Sequence, residues 1–433
     1  VDALFHQAGV VRAETLGELL DVATLLQSQP VPSGRRVAVL TNAGGLGILC
    51  ADACETAGLE LPSLAEETRA ALAAVLPAEA SVENPVDMLG SATADSYRAA
   101  LPPLLADPSV DAALALFVPP VAVDTALVGA AVSEAVADAG QAGKPVLASI
   151  VAATGAPASL KSAANVPAFA YPEAAARALG RAAERSAWLR RSAGTVPELD
   201  GVDEQRAAAV VRAALVDAEE AWLDARATRE LLEAYGIPLV AERLAAGPEE
   251  AAAAATELGF PAVVKTAAAG AHKTETGGVA LDLPDAAAVR AAAERIGGPV
   301  LVQPLVTGGV ELLAGLVQDP MFGPLVAFGP GGVYAELIGE AHFRSTPLTD
   351  VDALELVRAG KAGRLAAGFR GTPPADEAAL TELLHRLSRL AEAHAELVEL
   401  DLNPVLGLER GAVAVDARAR VARVHGRPDV KGW

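Results

Sequence analysis

The sequence predicts an α/β protein whose first large domain contains a doubly wound parallel sheet. Short apolar segments alternate with longer, alanine-rich amphipathic segments from residue 36 onward, and the alternation resumes after a polar break at residues 191–198. Such alternation is typical of parallel strands with helices on both faces of the sheet. A length of 433 residues is enough for two or three domains, each with a substantial core. Because aromatic residues make up 3% of the chain and hydrophobic residues 52%, that core must be aliphatic.

The charge of the chain excludes two classes of partner. There are 34 Lys and Arg residues against 55 Asp and Glu residues, which gives a formal net charge of −21. Nucleic acids and anionic membranes would meet a surface of their own sign, so we expect neither to bind. The sequence also has no run of about 18 uncharged apolar residues that could span a membrane. We therefore expect a cytoplasmic protein.

The first 32 residues are expected to be the C-terminal tail of a truncated preceding domain. Helical periodicity lies on both sides of residues 10–12, which form a short strand-like break. Charged residues among the first 20 positions exclude a signal peptide there. The chain begins with Val instead of Met, which favours a fragment of a longer protein over a subunit whose partner supplies the rest.

Residues 33–190 are predicted to form the doubly wound domain. Cys50 and Cys54 lie four positions apart in the helical segment after the first strand, so both face one buried side. We interpret them as structural thiols instead of a metal site or a disulfide, because the chain has no further Cys to complete a framework. This use of Cys indicates a reducing compartment. Strands are expected in three apolar segments, at residues 37–40, 112–118 and 144–151.

Residues 191–204 are interpreted as an interdomain linker, because the segment is polar and interrupted by Gly and Pro. Residues 205–433 then form the second domain. A helix after the linker is predicted to end near Tyr235, where Gly236 follows and Pro238 lies just beyond. Further strands are expected at residues 262–265, 300–303 and 311–316, and a hairpin at residues 398–404 and 412–416.

A glycine-rich turn follows the first predicted strand. Asn42, Gly44 and Gly45 lie between that strand and the next helix. Glycines let backbone N–H groups face an anion at a helix N-terminus, where the helix dipole favours negative charge. The turn is therefore a candidate phosphate site. A tight strand-to-helix turn would need the same glycines, and their spacing differs from the dinucleotide-binding fingerprint.

A second group of candidate residues follows the strand that ends in Lys265. His272 and Lys273 come soon after it, and Gly277 and Gly278 come next. Lysine supplies charge for a polyphosphate, glycine allows a close approach of the backbone, and a neutral imidazole can accept a phosphoryl group. The alternative for His272 is an ordinary loop histidine.

Two further constellations lie in the second domain. Asn403 and Asp416, thirteen residues apart on the predicted hairpin, offer the hard oxygen ligands that Mg²⁺ prefers. The alternative is a turn Asn and a solvated Asp. Residues from Gln303 to Val306 lead from an apolar strand toward Glu311. The backbone of such a hinge can read an adenine edge while Glu311 meets the ribose, although a simple strand end would look similar.

Taken in order, these elements resemble the ATP-grasp fold. The signatures of ADP-forming acyl-CoA synthetases (acetate–CoA ligases), which are relatives of succinyl-CoA synthetase, resemble the sequence at residues 272–279, 319–324, 328–333 and 399–404. Residues 41–45 and 84–87 are similar to the CoA-ligase domain of that family. The resemblance implies a flavodoxin-like first domain, followed by an ATP-grasp domain of two α+β subdomains.

The resemblance also implies a chemistry. Members of the family interconvert acyl-CoA, ADP and phosphate with a carboxylic acid, CoA and ATP, through an acyl phosphate and a phosphohistidine. His272 would carry the phosphoryl group, Asn403 and Asp416 would hold Mg²⁺, and the turn at Gly44 would bind phosphate. ATP or ADP would be bound by Lys265, Lys273, Gly277, Gly278, Gln303, Val306 and Glu311. The implied ligands are thus ATP or ADP, Mg²⁺ and CoA as a substrate, and we expect an oligomer.

The resemblance has one large departure and leaves alternatives open. Fused members of the family begin with a CoA-binding domain and a second domain that carries the primary phosphohistidine, and we expect a missing half, in the same chain or as a subunit, to supply both. Residues 274 and 275 read Thr-Glu where much of the family has Ser-Asp. A synthetase-like regulatory region of a bacterial protein lysine acetyltransferase is a second hypothesis, and a ligase joining a carboxylate to an amine is a third. The acid used and the nucleotide base stay undetermined by the sequence.

Overall fold

The fold is known from a computed structural model that describes residues 2–120, 124–140, 143–153, 155–267, 278–332 and 339–424. The chain divides into two compact units, one formed by residues 4–191 and the other beginning at residue 192. Each unit has its own cores and is described by itself. Within the described residues, no helix combines the length and the apolar character that crossing a membrane requires.

The first unit contains a five-stranded sheet in the order β2-β1-β3-β4-β5, with all neighbouring strands parallel. This is the strand order of flavodoxin-like folds, so the predicted doubly wound sheet is confirmed. Val37 and Val39 lie in one core while Ala38 and Leu40 lie in another, because both faces of the sheet are covered. The strands are Val37–Thr41 (β1), Val86–Asp87 (β2), Ala112–Phe117 (β3), Val146–Ile150 (β4) and Ala168–Phe169 (β5).

Helices cover both faces of this sheet. Cys50 and Cys54 are fully buried free thiols in one of the two cores, in agreement with their interpretation as structural residues. The predicted break between two helices at residues 10–12 is confirmed, but these residues belong to no strand. The helices are Asp2–Gln7 (α1), Leu16–Ser28 (α2), Gly44–Thr56 (α3), Glu66–Val75 (α4), Ala94–Ala106 (α5), Thr125–Asp138 (α6) and Pro172–Arg190 (α7).

Residues preceding the first strand pack onto this unit. Val22 and Leu25 of α2 are buried in the same core as α7, and Arg181 Nε donates to Glu18 Oε1 at 2.9 Å. Gln29 accepts from Val146 N at 3.1 Å through its side-chain oxygen. These contacts join α2 to the sheet, while the predicted domain boundaries themselves stay a prediction.

The second unit contains a small antiparallel sheet, in the order β7-β10-β8-β9. Two helices, Pro248–Leu258 (α10) and Ala286–Ile296 (α11), cover one face of this sheet and share a core with Val264, Val300 and Val302. Strands Ala262–Thr266 and Val300–Pro304 confirm the predictions at 262–265 and 300–303. The small sheet is formed by Arg243–Ala245 (β7), Ala262–Thr266 (β8), Val279–Leu283 (β9) and Val300–Pro304 (β10), and the preceding strand Glu220–Trp222 (β6) joins the other sheet.

A seven-stranded sheet completes the second unit, in the order β13-β12-β11-β14-β16-β6 with β15 paired to β14. The predicted C-terminal hairpin is confirmed as the antiparallel pair β14 and β15, whereas β16 was missed by the sequence analysis. Two sheets in one unit, each packed against helices, agree with the expected ATP-grasp architecture of two α+β subdomains. The strands are Val310–Asp319 (β11), Gly323–Pro330 (β12), His342–Ser345 (β13), Leu397–Gly407 (β14), Ala412–Ala414 (β15) and Ala417–Ala422 (β16).

Helices of the second unit cover one face of each sheet. The long helix that precedes β14 buries Leu383, Leu384 and Leu387 against Leu400 and Leu402 of that strand. The opposite face of β14 therefore carries the alternating polar residues. The helices are Glu204–Ala214 (α8), Ala225–Ala234 (α9), Pro248–Leu258 (α10), Ala286–Ile296 (α11), Asp350–Val357 (α12), Gly360–Ala366 (α13) and Glu377–Ala393 (α14).

Gly315 marks the closest approach of β11 to β14, and its replacement by Ala is expected to destabilise the second unit. A Cβ atom there would lie 2.5 Å from the backbone oxygen of Leu400, which is rigid backbone in the middle of the sheet. Relieving this clash requires a shift of the strand, so we expect a loss of about 1–3 kcal/mol in the free energy of unfolding. Thermal unfolding followed by circular dichroism measures the loss. Gly247→Ala is the control, because a new methyl group there meets no atom within 4 Å; equal midpoints for the two variants would contradict the prediction.

Candidate functional site

A cavity that is open to solvent lies in the second unit, between the small sheet and the turn that joins β15 to β16. Its lining brings together residues that are far apart in the sequence. The polar and charged residues of the lining are Thr228, Arg229, Glu242, Gln303, Asp416 and Arg418.

The face of the small sheet that the helices leave uncovered carries polar residues, because side chains alternate along a strand. Val264 and Val302 point into the helix-covered core, so Lys265 and Gln303 belong to the opposite face. Lys265 Nζ donates to the Val415 carbonyl at 3.0 Å, and Gln303 Nε2 donates to the same oxygen at 3.2 Å. Two of the predicted nucleotide-binding residues thus meet at one backbone oxygen, directly before Asp416.

A charged pair supports Gln303. Its Nε2 atom also donates to Glu242 Oε2 at 2.9 Å, and Arg229 Nε donates to Glu242 Oε1 at 2.9 Å. Burial opposes the charge on Arg229, but the hydrogen bonds and the charges of Glu242 and Glu233 outweigh it and raise the pKa of Arg229. The sequence analysis missed Arg229 and Glu242, because no motif joins them to Gln303 and their signal, isolated charges beside apolar residues, is common.

The connection between β8 and β9 starts and ends beside Lys265. Thr266 N donates to the Gly278 carbonyl at 2.8 Å, and Lys265 is paired with Val279. Gly278 therefore lies at the base of this connection, close to Lys265. His272, Lys273 and Gly277 were also predicted as site residues, and they lie outside the described residues.

Asn403 and Asp416 are brought together across the C-terminal strands. The backbone N–H of Asn403 donates to the Asp416 carbonyl at 3.2 Å, and the Asn403 side-chain oxygen accepts from Gly332 N at 2.9 Å. One lone pair of that oxygen is left for a ligand. An amide oxygen and a carboxylate fit Mg²⁺, which takes few protein oxygens and completes its shell with phosphate and water. Among the described residues, no group of three or more His, Cys, Asp or Glu side chains could hold a metal by itself.

A second carboxylate lies close to this pair. Asp401 is two residues before Asn403 on the same face of β14, and it accepts from Arg418 Nη2 at 3.1 Å. Burial raises the pKa of Asp401, the hydrogen bond and charge of Arg418 oppose that shift, and the charges of Asp416 and Glu399 add to it. Asp401 is therefore a second carboxylate that is electrostatically coupled to Asp416, and Arg418 offsets its charge.

The predicted hinge and Glu311 follow Gln303 in the chain. Val306 is half-buried in the connection after β10, where Leu305 N donates to the Pro261 carbonyl at 2.8 Å. Glu311 is an exposed residue of β11, and its carboxylate lies so close to Gly332 that a Cβ atom at that position would collide with it. Since Gly332 also donates to Asn403, Glu311 is linked through one glycine to the candidate metal ligand.

The glycine-rich turn of the first unit forms a second candidate site. Helix α3 begins at Gly44 with no side-chain cap, so its first N–H groups are available to an anion. The Asn42 side chain is not: Nδ2 donates to the Val118 carbonyl and Oδ1 accepts from Val118 N, both at 2.9 Å. A Cβ atom on Gly44 would lie 2.7 Å from Asp87 Oδ2, so a carboxylate that the sequence analysis assigned no role borders this helix end.

Comparison with known proteins extends over both units. A family model described as a Ligase-CoA domain matches residues 37–197, and one described as an ATP-grasp domain matches residues 214–421. Acetate–CoA ligase (ADP-forming) I of Archaeoglobus fulgidus is 35% identical over 434 residues, covering 96% of this chain and 61% of that protein. The chain spans about three fifths of the length of the curated relatives that it matches along nearly all of its own length.

Two further matches cover nearly all of the other protein. Acetate–CoA ligase (ADP-forming) I subunit beta of Pyrococcus furiosus is 34% identical over 203 residues, covering 44% of this chain and 88% of that subunit. The solved structure of Ca. Korarchaeum cryptofilum dinucleotide forming acetyl-coenzyme A synthetase 1, in complex with coenzyme A, Ca-AMPCP and HgCl+, matches with a TM-score of 0.46 at 36% identity, covering 50% of this chain and 99% of that chain. The motifs, the two matched domains and the identity to the subunit agree: the chain belongs to the family of ADP-forming acyl-CoA synthetases, the acetate–CoA ligases.

Proposed function

We propose that this chain is the nucleotide-binding portion of an ADP-forming acyl-CoA synthetase, an acid–thiol ligase. The reaction interconverts acyl-CoA, ADP and phosphate with a carboxylic acid, CoA and ATP. One observation carries the proposal: Lys265 and Gln303, from neighbouring strands of the small sheet, both donate to the Val415 carbonyl directly before Asp416, so groups suited to a nucleotide and its metal lie together. The relatives named above are ligases, which favours this function over a regulatory region of an acetyltransferase.

The predicted site residues of the second unit have separate roles in this proposal. Lys265 neutralises phosphate charge, the hinge from Gln303 to Val306 receives the base, and Glu311 receives the ribose. Asn403 and Asp416 hold Mg²⁺, which neutralises charge on the nucleotide phosphates when it is bound.

The phosphoryl group has its own carrier in this proposal. His272 attacks the γ-phosphorus of ATP, so that a nitrogen–phosphorus bond forms, the bond to the bridging oxygen breaks and ADP leaves. Lys273, Gly277 and Gly278 support the nucleotide phosphates from the same connection. In the first unit, Gly44 and Gly45 bind phosphate through backbone N–H groups, and Asn42 holds the turn through its bonds to Val118.

The CoA site is proposed to lie largely in the part of the longer relatives that this chain does not match. In Pyrococcus furiosus, the ligase named above has a beta subunit and a related ligase has a separate alpha subunit, so that part can be a separate polypeptide. We therefore propose CoA and acyl-CoA as substrates, a partner region in the same chain or in a subunit, and an oligomeric enzyme in the cytoplasm. The boundaries at residues 33, 191 and 205 belong to the same proposal.

The proposal is tested by assaying this chain alone and with a CoA-binding alpha subunit of the family. Calorimetry should show that the chain alone binds Mg-ADP. Acyl-CoA- and phosphate-dependent formation of ATP should be absent for the chain alone and should appear when the alpha subunit is added. Failure to bind Mg-ADP would refute the nucleotide site, and rapid acyl-CoA synthesis by the chain alone would refute the division of labour.

A further inference from the structure

Gln303 carries a hydrogen-bond acceptor that has no partner. The residue is 2% exposed, it lines the cavity, and its Oε1 atom is buried without a hydrogen bond. Leaving such an atom unpaired costs free energy, so buried acceptors in folded proteins nearly always have a donor. A buried acceptor without a donor, in a residue that lines a cavity, is a group that a bound ligand can satisfy.

The orientation of the Gln303 amide is determined by its surroundings. The NH₂ group faces two acceptors, Glu242 Oε2 at 2.9 Å and the Val415 carbonyl at 3.2 Å. Turning the amide over would place Oε1 against a carboxylate and a carbonyl, so that Oε1 would face two acceptors and Glu242 Oε2 would lose the donor that Gln303 supplies. The Oε1 atom therefore presents an acceptor in the bound state as well as in the free protein.

Glu242 is itself held firmly. Arg229 donates to Glu242 Oε1 at 2.9 Å and to the Val240 carbonyl at 2.6 Å. The segment that leads to Glu242 runs beside β15, where Val240 N donates to the Ala414 carbonyl at 3.0 Å. The carboxylate consequently cannot leave Gln303 without breaking bonds on both sides, and its charge is balanced by the guanidinium.

We infer that Gln303 selects adenine over 6-oxopurines, with Glu242 as the residue that positions it. The inference rests on the proposed nucleotide site. At position 6, adenine carries an amino group that donates, whereas guanine and hypoxanthine carry an oxygen that accepts. An amino group satisfies Gln303 Oε1, while an oxygen there sets two acceptors against each other and leaves both unpaired.

The test compares binding of Mg-ADP and Mg-IDP by calorimetry, because the two nucleotides differ only in the purine ring around position 6. The wild type should bind Mg-ADP about tenfold more tightly or better. In Glu242→Gln, the new amide group can donate to Gln303 Oε1 after the Gln303 amide has turned over. Gln303 can then offer either an acceptor or a donor to the base, so the ratio of the Mg-ADP and Mg-IDP affinities should fall to within about twofold of one. The matched control is Glu249→Gln, which removes a carboxylate that pairs with Arg290 on the surface of the same subdomain and should leave the ratio unchanged.

The outcomes separate this inference from the function on which it rests. If the wild type binds neither nucleotide, the nucleotide site itself is refuted. If it binds Mg-ADP and Mg-IDP equally, the site stands and the selectivity is refuted. A Glu242→Gln variant that weakens both nucleotides but keeps the wild-type ratio would overturn the positioning role. Should that variant fail to fold, Gln303→Met, which removes the acceptor from an unbranched side chain, must abolish the preference for Mg-ADP or the inference is wrong.

Discussion

Replacing Asp416 by Asn is expected to weaken the binding of Mg-ADP about 100-fold, while binding of ADP without metal stays nearly unchanged. The substitution keeps the size of the side chain and removes one negative charge, which is the feature that attracts a divalent cation. Asn403 lies next to Asp416 through the bond from its backbone N–H to the Asp416 carbonyl, so the remaining site offers two neutral amides. Calorimetric titration of ADP at several Mg²⁺ concentrations measures the change.

The control for this prediction removes a carboxylate at the far end of the same sheet. Asp319 ends β11 and accepts from Met321 N and Phe322 N in a turn, which an Asn side chain can also do. Asp319→Asn should therefore bind Mg-ADP like the wild type. Asp401 is unsuitable as a control, since its carboxylate is electrostatically coupled to Asp416. Equal affinities for wild type and Asp416→Asn would remove Asp416 from the metal site.

Local patterns in the sequence were sufficient for most of the elements that carry the site. The strands that end in Lys265 and Gln303 and the hairpin of Asn403 were predicted because apolar runs and turn residues are local signals. Their register could not be predicted. That Lys265 and Gln303 meet at the Val415 carbonyl depends on contacts between residues 150 and 112 positions apart.

Side-chain partners decide which predicted residues are available to a ligand, and the sequence does not reveal them. Asn42 was predicted as a phosphate ligand, but the backbone of Val118 engages both of its polar side-chain atoms. Gln303 was predicted through its backbone, yet its side chain is the group with an open acceptor. Glu242, 61 positions away, determines which way that acceptor faces. The sequence therefore predicted which residues lie at the candidate sites, whereas tertiary contacts changed the roles of Asn42 and Gln303.

Replacing His272 by Asn is expected to abolish phosphorylation of this chain by ATP, with a loss on the order of 1,000-fold or more. Asn can form hydrogen bonds but has no ring nitrogen that could attack phosphorus. The base of the connection that contains His272 is fixed beside Lys265 by the bond from Thr266 N to the Gly278 carbonyl. His272 lies six positions after Thr266, so chain length limits the backbone at position 272 to within about 20 Å of this base.

The measurement uses ATP labelled at its γ-phosphate. The wild type should acquire acid-labile, base-stable label, the signature of phosphate on nitrogen, and His272→Asn should not. His6→Asn provides the control, because that residue lies in α1 of the first unit. Mg-ADP binding should be retained in both variants, since neither change removes a residue that we assign to the base, the ribose or the metal. If His272→Asn acquires as much label as the wild type, another residue carries the phosphoryl group, and the role of the β8–β9 connection is then limited to binding the nucleotide phosphates.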